Sequence, residues 1–152
     1  VNFTIFAGTW KGMITGQDAD GRPIPDAACM QCHVQNTPHF DLFTPWKKSG
    51  HAEIFTQNVN NPNGHYSASC LGCHSVGYNK DADNEGFDDA NDYVAFYDSM
   101  FGGHSPTPDP GNWDYMLETF PYSAQKANVQ CENCHGPNDT LAHQNGVISR
   151  SG

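Results

Sequence analysis

Three pentads, Cys29-Met30-Gln31-Cys32-His33, Cys70-Leu71-Gly72-Cys73-His74 and Cys131-Glu132-Asn133-Cys134-His135, repeat the pattern C-x-x-C-H and between them hold every cysteine of the chain. This pattern constrains the fold more than any run of hydrophobic residues does. The two thiols of a pentad can add to the two vinyl groups of one haem as thioethers, and the histidine that follows is then held where its imidazole ligates the iron. A redox dithiol or a zinc knuckle also uses C-x-x-C, but neither requires a histidine at the next position each time. Three covalently bound haem c groups are therefore expected, attached through Cys29, Cys32, Cys70, Cys73, Cys131 and Cys134, with His33, His74 and His135 as iron ligands. No thiol is left for a disulfide or a catalytic nucleophile.

Haem also accounts for the composition. Only 37% of the 152 residues are hydrophobic, against about 45–50% in ordinary globular chains. Macrocycles can supply the missing apolar area. The 15 Gly and 10 Pro argue against long regular elements, while 9 Phe, 6 Tyr and 3 Trp are too many aromatics for a solvated coil. The expected fold is mainly irregular with short α-helices and little β, packed on haem, in a single domain spanning residues 1–152.

A formal charge of −10, with seven Lys and Arg in all, argues against nucleic acid and anionic membrane surfaces as partners. It favours redox partner proteins with basic faces, or self-association with haem-to-haem contact. No stretch approaches the roughly 20 apolar residues of a membrane span. The chain opens on Val1, as a mature chain would after export, and haem is attached to C-x-x-C-H outside the cytoplasm. A periplasmic or extracellular location is the expectation.

In order along the chain, residues 1–12 alternate partly between apolar and polar and suggest a strand or an extended arm for contact with another subunit. Residues 18–25 read as a turn, and Asp26 as the N-cap of a helix carrying the first motif. Thr44 and Pro45 are suited to start a helix that would present His51. A short helix is expected over residues 70–74, and helical patterns recur over 114–119 and 123–129. Between them, Asp81, Asp83, Glu85, Asp89 and Asp92, with Gly86 at the sixth position, resemble an EF-hand loop for Ca2+. Asp92 stands where that loop needs a longer Glu, so a solvated acidic loop is the preferred reading.

Five histidines remain for the distal faces of the irons: His39, His51, His65, His104 and His143. Met13, Met100 and Met116 are the competing donors. Two imidazoles saturate an iron and give the low potential that suits electron transfer, whereas an open face can bind a small molecule. Histidine on both faces is favoured by numbers, which also leaves two histidines beyond need.

Trp46-Lys47-Lys48-Ser49-Gly50-His51-Ala52, Cys70-Leu71-Gly72-Cys73-His74-Ser75-Val76-Gly77-Tyr78 and Val129-Gln130-Cys131-Glu132-Asn133-Cys134-His135-Gly136-Pro137, with His143 beyond, resemble segments of the multihaem cytochromes c of the c-554 type. The resemblance spans roughly residues 26–146. It implies short helices around closely stacked haems, in alternating parallel and near-perpendicular pairs, and a role in shuttling electrons. It further implies that His51 pairs with His135 and His143 with His33. In that family the haem corresponding to the second motif has no distal side chain. Here His39, His65 or His104 could close that face, and the fourth motif of the family is absent.

Three functions compete. The preferred one is electron transfer through stacked bis-histidine haems, with no catalytic residue of the chain's own, since no Ser-His-Asp, lysine or free-thiol arrangement is present. The same chain could be the repeating subunit of an extracellular cytochrome filament. The alternative is a small multihaem oxidoreductase with an open haem at His74, acting on a nitrogen or sulfur oxide.

Overall fold

A computed structural model describes residues 8–33, 41–64, 66–102 and 108–137. Strands β1 (Ile14–Gln17) and β2 (Pro23–Pro25) form an antiparallel hairpin with a register shift between Ile14 and Gly16. The turn expected at residues 18–25 closes it: the Asp18 carboxylate accepts from the Asp20 and Arg22 amides. Gly21 takes the positive φ, +75°, that the turn needs.

The eight helices seen among the described residues are short. Helix α1 (Ala27–His33) starts where Asp26 Oδ1 accepts from the Ala28 amide at 2.7 Å, as its sequence predicts. Helix α2 (Phe43–Lys47) is capped by Asp41, which accepts from the Thr44 amide at 3.0 Å, and not by Thr44. That bond holds the Asp41 carboxyl below its ordinary value. His51 lies past the end of α2, on a 3-10 turn (Gly50–Ala52), because Ser49 breaks the helix with an extended backbone. Helix α3 (Ile54–Val59) follows, then a 3-10 turn (Ala68–Cys70) running into α4 (Leu71–His74). Next come α5 (Tyr93–Phe101), α6 (Asn112–Thr119), α7 (Pro121–Gln125) and α8 (Cys131–His135).

The core is aromatic and is built largely by helices that carry no motif. Phe55 of α3 meets Phe87 at 5.8 Å and Phe96 of α5 at 6.2 Å, while Phe87 and Phe96 meet edge to face at 5.4 Å. Trp113 and Met116 of α6, with Leu71 of α4, complete the packing. Edge-to-face pairs add to the area they bury, so these side chains stabilise one another directly. Helix α5 went unpredicted, although Phe96, Met100 and Phe101 sit at helical spacing on its buried face.

Two of the sequence readings fall on described residues. Residues 8–12 are not a free arm: Trp10 N donates to Asn84 O, the Gly12 amide donates to Glu132, and a Cβ on Gly8 would touch the Pro137 ring. Their hydrogen bonds are made within this chain; residues 1–7 lie outside the described part. For the acidic loop the described bonds agree with the solvated loop preferred from its sequence and lend the calcium site no support. Asp89 accepts from the Asn84 and Gly86 amides, and Asp92 caps α7 by accepting from Tyr122 N, Ser123 N and Ser123 Oγ. Among the described residues no group of three His, Cys, Asp or Glu is placed to hold a metal ion. Gly86 is explained by crowding instead, since a Cβ there would lie 2.1 Å from the Gly77 carbonyl oxygen.

Candidate functional site

Helices α1, α4 and α8 each end on the histidine of a motif. Each holds the second motif cysteine one residue before that histidine, so in α4 and α8 thiol and imidazole leave the same helical turn. Cys73 and Cys134 are exposed, Cys29 and Cys70 half-buried, and none of them is in a disulfide. Burial, and after it the Asp26 carboxylate, pushes the Cys29 thiol up, and burial does the same for Cys131. Reactive dithiols need the opposite shift. No group of three His, Cys, Asp or Glu among the described residues could hold a metal ion, which disfavours a zinc knuckle at the second and third motifs. Thiols in no disulfide, and in no cluster that could hold a metal among the described residues, are compatible with attachment to the edge of a porphyrin.

The second motif fits a haem most directly. Cys73 and His74 line an open cleft of about 550 Å3 that also holds His51, Ile54 and Val129. Burial lowers the basicity of His74, which favours the neutral imidazole that binds iron. Its Nδ1 is buried with no hydrogen-bond partner among the described residues. The Tyr66 ring stacks against it, a neighbour that the sequence pattern did not reveal.

Motif spacing along the chain does not show how the three segments are joined. The two variable residues of the third motif do that. Asn133 Nδ2 donates to the carbonyl of Ser75, the residue after His74, at 2.8 Å. A bridge between Ser75 and Ala127, with Val76 N donating to Lys126 O at 2.8 Å, reinforces this link. On the other side the buried Glu132 accepts from Gly12 N at 2.7 Å and from Lys11 N at 3.3 Å. Gln130 accepts from Met13 N at 2.7 Å, and Met13 O accepts from Asp26 N at the head of α1. The hydrogen-bonded order is thus first motif, third motif, second motif. A polar pair inside Cys131-Glu132-Asn133-Cys134, where the first two motifs have Met-Gln and Leu-Gly, is the signal that could have shown it.

Among the candidate distal ligands, His51 is described. Its carbonyl accepts from Val129 N at 3.0 Å, and Trp46 Nε1 donates to Val129 O at 2.9 Å. The Trp46-to-His51 segment is therefore fastened two residues ahead of Cys131, while the cleft also brings His51 together with His74. His39, His65, His104 and His143 lie outside the described residues. Met100 and Met116 are spent in the aromatic core and Met13 is buried, which weakens methionine as a donor.

Residues 28–94 match the family model described as cytochrome c554 and c-prime. The match takes in the first two motifs and ends before the third. The search of curated proteins gave no match, and neither did that of solved structures. The chain thus resembles the cytochrome c-554 family, and the match supports a c-type cytochrome role in electron transfer with covalently bound haem c. Proteins of this kind are typically exported. Among the described residues no helix is long and apolar enough to cross a membrane.

Proposed function

We propose that the chain is a trihaem electron carrier in which haems held by Cys29/Cys32, Cys131/Cys134 and Cys70/Cys73 form one path in that order. The observation that carries this reading is the third motif's double attachment, through Glu132 and Gln130 toward the first motif and through Asn133 toward the second. Haem iron supplies the one-electron chemistry when bound. The chain's own residues hold the three attachment helices, and histidines would hold each iron: His33 with His143, His135 with His51, and His74 with His39, His65 or His104. A filled face leaves a substrate nowhere to bind, so the chain is read as a carrier without a catalytic residue.

Redox partner proteins and further copies of the chain are the proposed partners, with the location periplasmic or extracellular. Five histidines for three distal positions leave two that could ligate a neighbour's iron, which supports assembly into an extracellular filament. The test is an intact mass after extraction with acidified acetone. Three haem additions retained by the polypeptide are expected, and fewer than three would overturn the trihaem reading.

A further inference from the structure

We propose that Tyr66 is a positioning residue for His74, fixing the plane of its imidazole and thereby the electronic asymmetry of the second haem. The inference rests on the trihaem reading and deepens it. The two rings lie 5.7 Å apart between centroids at an interplanar angle of 14°, a stacked arrangement. Tyr66 is 3% exposed, and Phe55, fully buried, meets it edge-on at 5.4 Å and 71°. The phenol is thus pinned in the core on one side and laid flat against the imidazole on the other.

Histidines that bind a metal are ordinarily oriented by a hydrogen bond donated from the other ring nitrogen. His74 Nδ1 has no such acceptor among the described residues. Stacking is what remains to fix rotation about the bond that joins ring to chain. The orientation has a direct consequence at the iron. The plane of the imidazole decides which iron d orbital receives its π density, so a ring held in one plane gives one narrow paramagnetic signal. A ring free to rock gives a displaced and broadened one.

Electron paramagnetic resonance of the oxidised protein, on material whose three haems have been confirmed by mass, reads this directly. Tyr66→Phe keeps the ring, and all haem signals are expected to stay where they are. Tyr66→Met keeps most of the volume and removes the plane; one signal of the three should move and broaden while the others hold. Identical signals in Tyr66→Met would overturn the proposal. So would a Tyr66→Phe shift as large as that of Tyr66→Met, because the hydroxyl would then be the active group. If Tyr66→Met fails to take up haem, Phe55→Leu loosens the support behind Tyr66 without touching His74. The same single signal should broaden, and its constancy would sink the proposal. An unaltered protein with no haem on Cys70 and Cys73 would overturn the trihaem reading together with this one.

Discussion

His51 is attached twice: its backbone to Val129, ahead of the third motif, and its side chain to the cleft that holds Cys73 and His74. The backbone bond limits how far the imidazole can move from either motif. Replacing His51 with alanine leaves that bond in place and removes the ligand alone, so one haem of three should turn high-spin with all thioether links intact. A visible spectrum that stays wholly low-spin would refute the assignment of His51 as a ligand. At this scale the sequence was informative at Asp26, whose carboxylate caps α1 as its position predicts. It was silent on Tyr66, Glu132 and Asn133, because ring stacking and backbone capture can be performed by many residues and leave no fixed spacing to read. The carboxylates of residues 81–92 show the converse. Their spacing resembles a calcium loop except at Asp92, but Asp89 accepts from the nearby Asn84 amide and Asp92 from the Ser123 amide at the start of α7, so both carboxylates already have partners in the chain.

Among the elements, the helices of the first two motifs and the turn at residues 18–25 were legible, the first helix and the turn through local signals at Asp26, Asp18 and Gly21; α8, at the third motif, was missed. Helix α5 was missed too, because its value lies in Phe87, Phe55 and Phe120, partners that only the tertiary fold supplies. The same holds for the link between α4 and α8. Asn133 makes two bonds there, donating to Ser75 O and accepting from Gln130 N at 2.8 Å. Each hydrogen bond contributes about 1 kcal/mol, so Asn133→Ala should cost about 1–2 kcal/mol in urea unfolding of the haem-loaded protein. It should also slow electron exchange between the second and third haems while leaving the first unaffected. An unchanged unfolding midpoint would show that the bridge between Ser75 and Ala127 is sufficient without it.

Over the whole molecule, two kinds of interior are joined: an aromatic core built largely by α3, α5 and α6, and three short helices that carry thiols and imidazoles at their ends. The aromatic core reaches the second motif through Leu71 and through Tyr66, which stacks on His74. The motif segments are fixed to one another by bonds between the Glu132, Gln130 and Asn133 side chains and backbone groups, which suits a carrier whose rate depends on constant separations. A carrier of this kind has filled iron faces. Carbon monoxide binds ferrous haem only at an open face, so titration of the reduced protein should give little binding at any haem while small redox mediators exchange electrons rapidly. Stoichiometric binding at one haem would move the function to an oxidoreductase with its open site beside His74. Run beside that titration, a sizing column and electron microscopy decide how far the path extends. If the proposed assembly uses a surplus histidine as ligand to a neighbour's iron, filaments should dissolve when that histidine is replaced. A monodisperse monomer would confine the electron path to three haems within one chain.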